Sequence, residues 1–190
     1  ITDFSTGSIC GPGTVSLLAT ANTGAVNWYA SSNSNIKINI GTKFTTPTIN
    51  TTTDYYVDAT LNGCTTLSRT AVTATINLIP SITSVVPSSN CGIGTVTLIA
   101  TASVGTVIWH TAATGGGDLG IGSSFTTPII GSTTTYYVDA ISNGCTTATR
   151  TTVTATIHPI PVISKITPNS NCGPGTITLS ATANIGTINW

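Results

Sequence analysis

The chain reads as all-β, a head-to-tail string of immunoglobulin-like two-sheet sandwich modules that recur with a period of ~81. Three observations predict this. The first is an ungapped internal repeat. Cys10, Cys91 and Cys172 are equally spaced, and Trp28, Trp109 and Trp190 share that spacing. The same offset carries Cys64 onto Cys145, Tyr55-Tyr56-Val57-Asp58 onto Tyr136-Tyr137-Val138-Asp139, Arg69 onto Arg150 and Pro80 onto Pro161. The second is a succession of short runs in which apolar and hydroxylated residues alternate, broken by turn residues every ~8–12 positions. The third is that no stretch sustains a helical period. A strict period sets the frame for the rest of the reading. Residues 1–80 form one module with a shortened lead-in, 81–161 a second, and 162–190 the N-terminal part of a third. The chain has no Met, and it reads as the ordered part of a longer polypeptide.

The second module shows the elements most clearly. Ile82–Val86 is a first strand that ends at Pro87. Thr95–Ala102 sets Val96, Leu98 and Ala100 against Thr95, Thr97 and Thr101, so a second strand has one apolar and one hydroxylated face. Thr106–His110 is a third strand and carries Trp109. Gly115-Gly116-Gly117 opens a loop, and Asp118–Ile121 makes a short edge strand. Ser124–Ile130, Thr135–Ile141 and Ala148–Ile157 complete the set, with Ser142-Asn143-Gly144 as a hairpin turn between the last two. A tryptophan on the third strand and a Tyr pair at the start of the sixth fit an immunoglobulin-like sandwich. Trp28 and Trp109 are expected at the core centre, with Tyr55, Tyr56, Tyr136 and Tyr137 packed around them. Tyr136 or Tyr137 could also serve as a tyrosine corner.

Composition narrows the function classes. Only 5% of residues are charged, Glu is absent and the net charge is zero. A surface of this kind offers no electrostatic handle for nucleic acid or anionic lipid. Thr supplies over a fifth of the chain, yet Val, Ile, Tyr, Trp and Phe recur at strand-like intervals, which argues against disorder. No apolar run approaches the ~18–20 residues of a membrane span, so no membrane insertion is expected of this segment. Five cysteines in such a chain suggest an oxidising, extracytoplasmic setting. Each stands alone, without the close-set second ligand that zinc requires.

The sequence shows little that could do chemistry. The acids are Asp3, Asp54, Asp58, Asp118 and Asp139. Asp58 and Asp139 recur without a second carboxylate, so a general acid–base pair is missing, and no Asp-rich loop offers a calcium site. His110 stands where the first module has Tyr29, and His158 where it has Asn77, so neither recurs and both are expected at the surface. Arg69 and Arg150 do recur and are expected to make a structural hydrogen bond or to meet an Asp. Gly11-Pro12-Gly13 is a turn, lacking the Lys-Ser/Thr of a phosphate loop, and Asn50-Thr51-Thr52 matches a glycosylation acceptor only formally. The expectation is no catalytic residue, no metal and no cofactor.

The strings CGPGT-x-x-L-x-ATA, FTTP, TT-x-YYVDA, NGCTT and RT-x-VTATI carry a resemblance. Together with the fixed interval from Cys10 to Trp28 and from Cys91 to Trp109, they resemble the immunoglobulin-like modules of very large type IX-secreted adhesins on gliding Bacteroidetes. The resemblance covers essentially the whole chain. It implies secretion, a cell-surface address and a spacer or filament role.

The cysteines do not sit where an antibody domain places them. There the bridge joins the middles of the second and sixth strands. Here Cys91 precedes the second strand, in the turn after the first, and Cys145 follows the sixth. Strands of ~7–9 residues would hold those turns ~25–30 Å apart, against the ~4.4–6.8 Å that a disulfide tolerates between Cα atoms. Stacking the modules head to tail instead brings Cys10 beside Cys145. It would pair Cys91 with a cysteine expected one repeat beyond Cys145, and Cys64 and Cys172 with other modules. In-module bridges and free thiols remain the alternatives. Leu78-Ile79-Pro80 and Pro159-Ile160-Pro161 are apolar, proline-stiffened linkers that suit a semi-rigid rod.

Three function classes follow. The first is a structural or adhesive repeat of a long surface filament, whose partners are the neighbouring repeats and a surface polysaccharide or substratum. The second is a ligand-binding array that meets polysaccharide, or ice, through Thr rows such as Thr152, Thr154 and Thr156. The third is an accessory region of a secreted enzyme.

Overall fold

A computed structural model describes residues 1–190 and contains strands only, with no helix. The first repeat has nine strands: β1 (Asp3–Ser5), β2 (Gly7–Cys10), β3 (Ser16–Thr20), β4 (Ala25–Tyr29), β5 (Lys37–Ile40), β6 (Lys43–Thr45), β7 (Thr53–Leu61), β8 (Cys64–Thr65) and β9 (Thr70–Asn77). The second repeats them as β10 (Ile82–Val86), β11 (Ser88–Cys91), β12 (Thr97–Ala102), β13 (Thr106–His110), β14 (Asp118–Ile121), β15 (Ser124–Thr126), β16 (Thr134–Ser142), β17 (Cys145–Thr146) and β18 (Thr151–His158). Beyond them β19 (Ile163–Thr167) pairs with β20 (Ser180–Ala183) in an exposed two-stranded sheet.

Each repeat is a sandwich of two sheets. The smaller runs β1-β3-β6, and the larger β2-β9-β7-β4-β5 with β8 folded back on β7. The second repeat has the same two orders, β10-β12-β15 and β11-β18-β16-β13-β14 with β17 on β16. The lead-in therefore serves both sheets. Its first part pairs antiparallel with β3, and its second part crosses over to pair parallel with β9. The chain is thus tandem immunoglobulin-like sandwiches.

Alternation builds the core. In β12, Leu98 and Ala100 are buried while Thr97, Ile99 and Thr101 face out, because successive strand side chains point to opposite sides of a sheet. Trp28 and Trp109 are fully buried at 0% exposure, and Tyr55 and Tyr136 pack in the same two clusters. Each indole N–H donates to a backbone carbonyl, Trp28 to Gly41 at 2.8 Å and Trp109 to Gly122 at 2.9 Å. Phe44 bridges Trp28 and Tyr55 with ring centroids 5.4 and 5.0 Å away.

Several expectations need correction. Tyr56 and Tyr137 are half-buried on the outer face, one residue out of phase with the core. No hydroxyl of these four tyrosines hydrogen-bonds to a backbone group, so none is a tyrosine corner. Cys10 and Cys91 end strands β2 and β11 instead of lying in a turn. Strand β15 stops at Thr126, since Pro128 two residues on has no N–H for a ladder.

Candidate functional site: the joint between repeats

Two devices lie outside the cores. The first is the joint. Cys10 and Cys145 are disulfide-bonded with Cα atoms 5.6 Å apart, across a sequence separation of 135. Strand register explains why the bond crosses between repeats. Cys10 lies opposite Asn77 at one end of the larger sheet, while Cys64 lies opposite Leu61 at the far end of β7. The length of that strand, ~25–30 Å, separates them. The hairpin holding Cys145 turns on Asn143 and Gly144, both in the left-handed region at φ 49° and 79°, the geometry that Asn-Gly supplies at least cost.

Backbone and linker complete the joint. Asn77 Nδ2 donates across it to the carbonyl of Asn143 at 3.4 Å. Pro80 is fully buried. The Ser81 amide donates to Ser103 Oγ at 3.0 Å, and the Ser103 amide returns a bond to the Ser81 carbonyl at 2.8 Å. Linker residues Ile79–Ile82 and the second repeat's Thr147–Thr149 and Thr151 together line a hollow of about 400 Å³. Gly11 has φ +69°, and a Cβ there would meet Ile79 Cδ1 at 2.9 Å, so the linker closes directly over that glycine. Cys64, Cys91 and Cys172 are exposed free thiols.

The second device is a polar clasp on the outer face of the larger sheet. Asp58 is only 2% exposed there. Its Oδ1 accepts from Asn27 Nδ2 at 2.8 Å and from the Tyr29 hydroxyl at 3.3 Å, and its Oδ2 accepts from Arg69 Nε at 3.2 Å. Arg69 Nη1 then donates to the carbonyls of Ser31 and Ser32 at 3.1 and 3.0 Å. One arginine therefore ties the segment before β9 to the loop after β4. The Tyr29 phenol is pushed above its ordinary range, first by burial and then by the hydrogen bond and charge of Asp58, with Arg69 opposing. Burial alone raises Tyr55 and Tyr136.

The second repeat keeps the Asp–Arg pair and changes the other two members, with Ile108 standing where the first has Asn27 and His110 where it has Tyr29. Arg150 Nε donates to Asp139 Oδ2 at 3.1 Å, and its Nη1 to the carbonyls of Ala112 and Gly115 at 2.8 and 2.6 Å. The sequence places His110 at the surface, but it is only 3% exposed, set between Asp118 and Asp139. Its Nε2 stands 3.1 Å from Asp139 and its Nδ1 3.3 Å from Asp118, at ion-pair distance but not aligned as hydrogen bonds. His158 is exposed. The recurrence of Arg69 and Arg150 with Asp58 and Asp139 signalled the clasp. Nothing in the sequence signalled that His110 is buried, as Tyr29 is at the matching position of the first repeat.

A family model described as an Ig-like domain, CHU_C associated, matches residues 1–77 and again 79–159. The chain belongs to that family. The CHU_C-associated Ig-like repeats also resemble solved tandem-domain structures at low identity. Fibronectin(III)-like modules of Clostridium thermocellum CbhA match at 11% identity and a TM-score of 0.47, covering 82% of this chain and 90% of that one. Immunoglobulin domains 1–5 of Sidekick-1 match at 16% and 0.48, covering 84% and 39%. Murine CEACAM1b matches at 14% and 0.46, covering 80% and 96%. No curated protein matches the chain. No helix is long and apolar enough to cross a membrane.

Proposed function

We propose that this chain is a semi-rigid, non-catalytic stretch of a long cell-surface filament, of the kind found in a gliding-motility or attachment adhesin such as SprB. The observation that carries this reading is the Cys10–Cys145 bond, which fastens two repeats already held by a buried proline linker. Tension along such a chain meets a covalent cross-link at the joint as well as hydrogen bonds. The clasps support the same reading, since the carboxylates of Asp58 and Asp139 face the fold's own donors. The partners are the neighbouring repeats, and a surface polysaccharide or substratum reached by the filament. An extracellular site supplies the oxidising conditions that the bond requires.

Small-angle scattering of the chain, oxidised and reduced, tests the mechanical claim. The oxidised chain is expected to fit one extended arrangement of its first two repeats. Reduction, or Cys10→Ser, is expected to broaden the distribution of distances between them. Identical profiles would remove the rod reading.

A further inference from the structure

Tension on a cross-linked chain follows the shortest covalent path between the points where it is pulled. The Cys10–Cys145 bond spans a sequence separation of 135. The path therefore runs through residues 1–10, across the two sulfurs and on through residues 145–190. Residues 11–144 lie in the bridged loop, and that loop holds the bodies of both repeats. Every buried member of the first core, from Val15 to Ala74, is inside it. In the second core only Val153 and Ala155, both on β18, lie on the path. The buried Pro80 of the linker is in the loop as well.

The segments left on the path are held along their length. Cys10 is the last residue of β2 and Cys145 the first of β17, so no loose backbone separates either strand from the bond. Strand β2 runs parallel to β9, with Gly7–Cys10 against Ala74–Asn77. Tension that draws β2 along this ladder loads its evenly spaced hydrogen bonds together instead of one by one. Strand β18 has β16 on one side and β11 on the other, and it leaves the sheet only if both ladders break.

We propose that the Cys10–Cys145 bond is an extension stop. It takes the bodies of both repeats off the load path, so either core can open under tension without adding its length to the chain. The proposal rests on the reading of this chain as load-bearing and names the segment that the joint shields. Of the 189 residue steps between Ile1 and Trp190, the bond bypasses 135 and leaves 54. An extended chain spans at most ~3.6 Å per residue, so the full length reaches about 680 Å and the length outside the loop about 200 Å. A core that opens inside the loop keeps its ends joined, which lowers the loop-closure entropy that refolding must overcome.

Single-molecule extension of the whole chain, held by peptide tags at its two ends, tests this. The exposed thiols of Cys64, Cys91 and Cys172 are alkylated first, so that none exchanges with the bond under load. The oxidised chain is expected to stop at about 200 Å, roughly 3.5-fold short of the ~680 Å reached by the reduced chain or by Cys10→Ser. Bonds within a repeat, Cys10–Cys64 or Cys91–Cys145, would each bypass 54 steps. One of them would put the oxidised limit near ~490 Å and both near ~290 Å, and either limit sinks this proposal together with the rod reading. A limit near ~680 Å in oxidised material whose digest contains the Cys10–Cys145 peptide would mean that the bond gives way under load. That result overturns the extension stop and leaves the rod reading standing.

Discussion

Arg69 sits over the ring of Tyr29, with its guanidinium carbon 3.4 Å from the centroid, while its Nε bonds Asp58 at 3.2 Å. An arginine placed this way stacks on an aromatic face while its planar guanidinium donates at once to a carboxylate and to backbone carbonyls. Lysine at this position would do neither well.

The clasp should therefore be costly to break from one side. Arg69→Ala leaves the buried Asp58 charge with only neutral donors, and is expected to destabilise the first repeat by about 3 kcal/mol. Asp58→Asn combined with Arg69→Ala removes the charge as well, and should cost less than Arg69→Ala alone. Urea unfolding of these two variants and of Asp58→Asn alone measures this. Additive losses would show that the two residues do not act as a pair.

Core and outer-face aromatics separate on the same measurement. Trp28→Ala is expected to cost about 3–5 kcal/mol, since it opens a cavity and leaves the Gly41 carbonyl without its indole donor. Tyr56→Ala, one residue out of phase with the core, is expected to cost about 1 kcal/mol or less. Equal losses would place Tyr56 in the core after all.

Alkaline pH should unfold the chain in a definite direction. The phenols of Tyr29, Tyr55 and Tyr136 are raised in the folded state, mainly by burial. A raised group contributes stability that is fully present below its unfolded value, about 10 for tyrosine. That contribution is lost as pH climbs toward the folded value, because the unfolded chain releases those protons first. Stability should fall as pH rises above ~10, and Tyr29→Phe should reduce the fall. Phenolate absorbance followed beside circular dichroism checks it, and a loss unchanged by Tyr29→Phe would show that Tyr29 is not coupled to unfolding.

How far the sequence disclosed the fold follows from what each residue answers to. The repeat period, the tryptophan positions and the Asn-Gly turns are local signals, and the structure follows them. Strand β11, Ser-Ser-Asn-Cys, has no alternation to read. It exists because its backbone finds a parallel partner in β18, a tertiary cause. Strand β18 begins at Thr151, later than the Ala148 that its pattern suggests. The bend before it carries Arg150 to Asp139. His110 is buried beside Asp118 and Asp139, while Arg150 ties down the neighbouring loop through the Ala112 and Gly115 carbonyls. In the clasp the Asp–Arg recurrence was legible, but the wrapping of the loop was not.

The joint makes the most discriminating stability prediction. A cross-link stabilises chiefly by restricting the unfolded chain, and closing a loop with a sequence separation of 135 is worth up to about 5 kcal/mol on the chain-entropy model. Cys10→Ser and Cys145→Ser should each remove the whole of that effect, so the double variant should be no weaker than either single one. The parent chain in reductant should match them. Cys64→Ser and Cys91→Ser alter exposed thiols in the monomer, and each should cost less than about 0.5 kcal/mol. Urea unfolding followed by the fluorescence of Trp28 and Trp109 reads both repeats. A Cys64→Ser loss as large as that of Cys10→Ser would mean that the first repeat holds its cysteines in a different pairing, and that the repeats are independent beads.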